Sequence, residues 1–228
     1  MVDEKVTWAK GQSIAGGRQP QVRLAWVATL LGSTALVACP DTALADCVNT
    51  GGSNYECSGA ETVTQGVSDT NPTITATPDF SVDTPDPIAF GVAGIGTIYF
   101  QGGDANLRGR DFGIDAYLGG DDGGVPGSLV LLTSGDLSGG LTGLRAVNNS
   151  SGPTAISTDG FVEGGDRGIQ ITNGADTSGL SLYTHGVTGG NIGINAQHYG
   201  GGVVTVSAQG QVTGTNWYGI TASNNPMT

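Results

Sequence analysis

The sequence predicts an all-β protein, a right-handed parallel β-helix with rungs of about 25 residues, preceded by a signal-peptide segment. Two observations predict this fold. A short phrase ending in glycine recurs every 25 residues, at Gly139, Gly164, Gly189 and Gly214, and apolar residues alternate with polar ones inside each phrase. A fixed period of this size is typical of a solenoid, in which each repeat stacks on the next.

The phrases also predict which side chains face inward, because alternation at period two places the apolar set on one face of a strand. The predicted inward columns are Leu107, Leu137, Val162, Val187 and Val212; Ile114, Leu144, Ile169, Ile194 and Ile220; and Ala116, Ala146, Ile171, Ala196 and Ala222. The predicted outward polar row is Asp115, Arg145, Gln170, Asn195 and Thr221. One copy is five residues longer than the others, and we expect the additional residues in an exposed loop at 119–124.

A turn position near the end of each repeat holds Asn148, Asn173, His198 and Asn224. Asparagine tolerates the left-handed backbone region and hydrogen-bonds its own turn. Two interpretations remain open, namely simple turn residues or stacked side chains that bond from rung to rung. The column resembles the asparagine ladder of right-handed β-helices, interrupted by His198.

Residues 1–45 are predicted to be a secretory signal peptide. Four basic residues precede an apolar run over 24–38, and Ala43-Leu44-Ala45 precedes Asp46. This order predicts cleavage between Ala45 and Asp46. An alternative is lipidation of Cys39, but Pro40 follows directly, which favours conventional cleavage.

The remaining chain divides into two predicted parts. Residues 46–90 are expected to form an N-terminal cap or irregular first rungs, and residues 91–228 the β-helix, truncated at its C-terminal end. Cys47 and Cys57 follow the cleavage site directly, and outside the cytoplasm we expect them to form a disulfide. Irregular terminal units are typical of solenoids, since an open first rung exposes strand edges.

Composition excludes several classes of partner. The formal net charge is −12, and no lysine follows residue 45, so the surface repels nucleic acid and anionic lipid. The two cysteines have no histidine nearby, which makes a zinc site unfavourable. Asp121-Asp122 among glycines could hold Ca²⁺, although a flexible acidic loop is favoured. We therefore predict no metal and no cofactor.

The order of these features, from signal peptide through cysteine pair and threonine-rich lead-in to glycine-rich rungs, resembles one family. It is similar to the N-terminal part of a type V secretion autotransporter, with its signal peptide and β-helical passenger. The resemblance implies display at the cell surface by an outer-membrane barrel, which this chain lacks. It also implies an exported adhesin or structural stalk, with a host-surface protein or glycan as partner.

Catalysis is not predicted. Ser138 lies in a phrase that resembles a protease nucleophile loop, but the repeat explains that phrase, and the two histidines, His185 and His198, lie in repeat turns. The alternative function is a polysaccharide lyase or hydrolase, since such enzymes place clustered charges on one outer face of a β-helix. The residues that could supply such a face are Arg108, Arg110, Asp111, Asp115, Arg145, Asp166 and Arg167.

Overall fold

The computed structural model describes residues 46–226. Every regular element in that range is a β-strand, and none of the described residues form a helix long and apolar enough to cross a membrane. The predicted signal peptide, including Cys39 and Ala45, lies outside the described residues.

The strands follow one another with short connections. They are β1 Asp46–Gly51, β2 Asn54–Ser58, β3 Ala60–Glu61, β4 Gln65–Thr70, β5 Thr73–Ala76, β6 Ser81–Asp83, β7 Ile88–Ile95, β8 Ile98–Gly103, β9 Asn106–Gly109, β10 Phe112–Leu118, β11 Leu129–Thr133, β12 Leu137–Gly139, β13 Thr142–Asn148, β14 Thr154–Gly164, β15 Arg167–Asn173, β16 Gly179–Gly189, β17 Ile192–His198, β18 Val203–Ala208, β19 Val212–Gly214 and β20 Tyr218–Asn224.

These strands stack into a parallel β-helix of seven rungs with three faces. Face A contains β2, β5, β8, β11, the first halves of β14 and β16, and β18. Face B contains β3, β6, β9, β12, the second halves of β14 and β16, and β19. Face C is a seven-stranded sheet of β4, β7, β10, β13, β15, β17 and β20. The predicted fold class is confirmed, and a right-handed course is the one that parallel crossovers favour.

The predicted columns stack in register. Leu107, Leu137, Val162 and Val187 lie opposite one another on face B and are fully buried, and the isoleucine and alanine columns do the same on face C. The outward row also pairs rung to rung, from Asp115 to Thr221. In the seventh rung Ile220 is 47 % exposed, since no described strand pairs with the outer edge of β20.

Close backbone approach explains the recurring glycines. A Cβ on Gly139 would meet the carbonyl oxygen of Thr142, and a Cβ on Gly164 would meet that of Arg167. The same contact recurs at Gly189, and none of these glycines has a positive φ. The 25-residue period therefore marks the corner between faces B and C, where the chain folds back too tightly for any side chain.

The N-terminal part is more regular than expected. The rungs begin at Asn54, and β4 and β7 pair in the same parallel register as the later strands of face C. The boundary expected between residues 90 and 91 falls inside β7, so the structure replaces it with one continuous β-helix. Only β1 departs from the pattern, because it pairs antiparallel with β2 and covers the edge of the first rung.

Candidate functional site

Cys47 and Cys57 form a disulfide across the β1–β2 hairpin. The two residues are direct partners in the antiparallel pair, with their Cα atoms 4.0 Å apart. Cys57 is fully buried against the first rung, and Cys47 packs on the same core. The disulfide therefore holds the covering strand β1 onto the end of the β-helix. Asp46, the residue after the predicted cleavage site, is the first residue of β1.

The residues Asn148, Asn173, His198 and Asn224 are in register on face C. The first three are fully buried and linked by hydrogen bonds. Asn148 Nδ2 donates to Thr154 Oγ1 at 2.9 Å, and Thr154 Oγ1 donates to Asn173 Oδ1 at 2.9 Å. The link between the two asparagines thus passes through a threonine hydroxyl.

His198 is the next member of this column. Its Nδ1 lies 3.2 Å from Asn173 Nδ2, and since an amide nitrogen can only donate, Nδ1 is the acceptor. Its Nε2 has no hydrogen-bond partner among the described residues. Burial lowers the pKa of the imidazole. Such a ring is neutral and structural, and it lies inside the core rather than at a surface site. Asn224, in contrast, is exposed and donates to the Gly202 carbonyl at 2.9 Å.

A second column of polar side chains lies at the corner between faces B and C. Asn191 Nδ2 donates to Asp166 Oδ1 at 2.7 Å, and Asn216 Nδ2 donates to Asn191 Oδ1 at 3.1 Å. Sequence reasoning missed this column. Its signal is visible, since Asp166, Asn191 and Asn216 are spaced by the same 25 residues as the glycines before them.

The charged residues considered for an enzymatic face are divided between regions. On face C, Arg145 makes a bidentate pair with Asp115 at 2.7 and 2.6 Å, and its guanidinium lies 4.4 Å from the centre of the Phe112 ring. At the corner, Arg110 pairs with Asp111 and Arg167 pairs with Asp166. Of the predicted set, only Arg108 and Arg110 line the groove described next.

Face B carries an open groove of about 1070 Å³ that crosses rungs two to five. Its floor is an outward column with one side chain from each rung, in the order Asp83, Arg108, Ser138 and Glu163. Arg108 is in none of the ion pairs found among residues 46–226. Carboxylate, guanidinium and hydroxyl groups therefore alternate along the groove at the spacing of the rungs.

One side of the groove has an aromatic ring. Phe161 is 46 % exposed, and a Cβ on Gly186 would lie 2.9 Å from its Cδ2 and 3.3 Å from its Cε2, so the ring packs against the backbone of the next rung. Asp136 Oδ1 accepts a hydrogen bond from the Phe161 N–H at 2.8 Å. The Asp136 N–H donates to Asn106 Oδ1 at 2.9 Å. The acid and the ring are thus held in fixed positions.

The groove does not assemble a serine protease site. Ser138 lies between Arg108 and Glu163 in the column, whereas His198 is buried on face C. His185 is exposed in the sixth rung, in β16, where face A turns into face B. A serine nucleophile needs a histidine base within hydrogen-bond reach.

The acidic loop between β10 and β11 is anchored rather than flexible. Asp121 accepts hydrogen bonds from the Ser151 N–H at 2.8 Å, the Gly127 N–H at 3.0 Å and the Ser151 hydroxyl at 2.7 Å, and these bonds lower its pKa. Asn71 Nδ2 donates to Asp122 at 3.0 Å. Both acids are therefore used as hydrogen-bond acceptors. Within residues 46–226 no three His, Cys, Asp or Glu side chains are grouped as metal ligands.

Comparison with known proteins leaves the fold and the groove as the available guides to function. The chain matches no family model, no curated protein and no solved structure.

Proposed function

We propose that the chain is an exported, non-catalytic β-helix of the cell surface or extracellular medium, similar to an autotransporter passenger, which acts as an adhesin or rigid stalk. The observation that carries this proposal is the disulfide between Cys47 and Cys57 on the hairpin that covers the first rung. It follows directly after the predicted cleavage site at Ala45. Disulfides persist in oxidising compartments and are rare in the cytoplasm.

The shape of the β-helix supports a role in display. Six intervals between rungs at ~4.8 Å give a rod about 29 Å long. Each rung is hydrogen-bonded to its neighbours on all three faces, so the rod presents fixed side walls. An acidic surface without lysine supports solubility outside the cell.

The side chains that could perform acid–base chemistry support a non-catalytic role. Asp115 and Asp111 are each paired with an arginine, and His198 is part of the buried column. The second candidate, a polysaccharide lyase or hydrolase, is favoured by one observation, the carboxylates of Asp83, Asp136 and Glu163 around the groove. Glycoside hydrolysis needs a pair of such groups across the scissile bond.

Export is tested by expressing the full chain with its own N-terminus in a Gram-negative bacterium. We expect the exported protein to begin at Asp46 and to contain no free thiol. Cys39→Ser is the matched control, because it leaves conventional cleavage unchanged and abolishes processing if lipidation occurs. An uncleaved protein that stays in the cytoplasm with reduced Cys47 and Cys57 contradicts the proposal.

The enzyme alternative is tested by incubating the purified chain with neutral and acidic polysaccharides and measuring new reducing ends or unsaturated products. We expect none. Cleavage that is lost on Glu163→Gln or Asp136→Asn would establish the second candidate instead.

A further inference from the structure

We infer that the groove on face B binds an uncharged glycan chain laid across rungs two to five. This inference rests on the proposed adhesin function and names the class of partner and the surface that holds it. Four kinds of observation carry it: the backbone pairing around the groove, the polar column on its floor, the ring at its side and the balance of charge.

The backbone pairing excludes recognition by strand addition. The strands that form the floor are paired on both sides, β9 with β6 and β12, and β12 with β9 and β14. Their N–H and C=O groups are used within the sheet, and a peptide cannot add to them as a further strand. A ligand in the groove is therefore recognised by side chains alone.

The polar column suits a chain rich in hydroxyl groups. Asp83, Arg108, Ser138 and Glu163 stand one above another, and adjacent rungs are separated by about 4.8 Å. Carboxylates accept hydrogen bonds, a guanidinium donates them, and a serine hydroxyl does both. A sugar hydroxyl also does both, so a linear glycan finds partners along the whole column.

The ring of Phe161 supplies the apolar contact that such a ligand needs. One side of the ring rests against Gly186, and its 46 % exposure leaves the remaining surface open to the solvent. The negative face of an aromatic ring attracts polarised C–H groups, such as those on the flat side of a sugar. The ring is already held in place, so little side-chain entropy is lost on binding.

The charges around the groove select against an acidic ligand. Three carboxylates, those of Asp83, Asp136 and Glu163, face two arginines. Arg110 is already paired with Asp111 at 3.0 Å, which leaves Arg108 as the cation available to a ligand. Uronate chains, sulfated glycans and nucleic acids are repelled by this balance, whereas an uncharged glycan is not.

The test is calorimetric titration of the purified full chain with hexasaccharides. The probes are maltohexaose, cellohexaose and N-acetylchitohexaose, all uncharged, and hexagalacturonate, which is acidic. We expect at least one uncharged probe to bind, and hexagalacturonate to bind more weakly by about tenfold or more. Failure of all three uncharged probes to bind, or tighter binding of hexagalacturonate, overturns the inference.

Substitutions locate the binding. We expect Phe161→Ala to weaken the binding of the uncharged probe by about tenfold or more, and Arg108→Ala to weaken it as well. Tyr117→Ala removes an aromatic side chain of similar exposure (48 %) from face C, and we expect it to bind like the wild type. Both altered aromatics are exposed, and far-UV circular dichroism with thermal unfolding confirms that the variants fold. Equal affinity of the wild type, Phe161→Ala and Arg108→Ala overturns the inference.

The results distinguish this inference from the proposed function. An exported protein that begins at Asp46 but binds no hexasaccharide leaves export standing and overturns the groove. A protein that binds through Phe161 but stays in the cytoplasm supports the groove and contradicts export. Cleavage of the bound probe supports the groove as a glycan site and contradicts a non-catalytic role.

Discussion

Early and late rungs fill the same interior in different ways. On face C one column runs in register from Gly94 through Leu118 to Asn148, Asn173 and His198. The third rung thus places a buried leucine where the fourth, fifth and sixth place side chains joined by hydrogen bonds. The early rungs are packed instead around three phenylalanines.

The aromatic cluster lies entirely in the second and third rungs. The Phe80 and Phe90 rings meet edge to face with centroids 6.0 Å apart, and Phe90 stacks on Phe100 at 4.8 Å. All three are fully buried. Apolar packing is non-directional and depends on filled volume, whereas the polar column depends on paired donors and acceptors. One backbone geometry therefore accepts two kinds of interior, and they should fail in different ways.

The largest effect is expected in the aromatic region. Phe90→Ala removes the ring that contacts both neighbours, and the cavity should lower the free energy of unfolding by about 3–5 kcal/mol. Denaturant unfolding followed by circular dichroism measures this loss. The control is Tyr117→Ala at an exposed position, for which we expect a change within about 0.5 kcal/mol. If Phe90→Ala cost less than about 1 kcal/mol, the early rungs would not depend on the cluster.

A smaller loss is expected from making the late rungs resemble the early ones. Asn173→Leu copies Leu118 into the polar column but removes the acceptor of Thr154 Oγ1 and the donor to His198 Nδ1. Leaving these buried groups unpaired should cost about 2–4 kcal/mol in the free energy of unfolding. Gln170→Leu, outward on the same strand β15, is the matched control. Equal stability of Asn173→Leu and the wild type would show that the two interiors are interchangeable.

The smallest effect is a dependence on pH that only the late rungs should show. Burial lowers the pKa of His198 below its ordinary value of 6.5, so the unfolded chain binds a proton more readily than the folded one. The associated stability is complete above pH 6.5 and declines as the pH falls from there toward the folded-state pKa. His198→Asn should remove this decline, measured by denaturant unfolding at several pH values.

The surroundings of His198 make this pH window distinctive. Asn173 and Asn224 are its partners on the neighbouring strands, Tyr199 follows it, and Asp176 in the adjacent loop is exposed. Hydrogen bonds lower the pKa of Asp121, so its contribution is lost only below the ordinary aspartate value of 3.8. His185→Asn alters the exposed histidine and should keep the wild-type profile. The same decline in His198→Asn and the wild type would assign it to another group.

The late rungs were predictable because their packing is written as a repeat. Leu137, Leu144 and Ala146 lie in the columns that alternation assigned to them. The early rungs lack the glycine phrase, and phenylalanines of unequal spacing fill them, so no period identifies them. The column of Asp166, Asn191 and Asn216 was within reach, since it has the same 25-residue spacing.

The groove could not be predicted in the same way. Asp83, Arg108 and Glu163 become neighbours only through the register of face B, and Asp83 precedes the first visible repeat. The Phe161 ring rests on Gly186 because β14 has one more residue than β16 between their two paired segments. A local shift of this kind changes which residues meet without changing the overall period.

The sequence by itself determined the β-helix, its inward columns and the position of its tight corner, because stacking neighbours must bury the same face at a constant interval. The tertiary structure decided which outward residues share a surface, where the disulfide seats β1 and how the polar column is linked through Thr154. Those features depend on the exact register between distant segments, which short-range alternation does not specify.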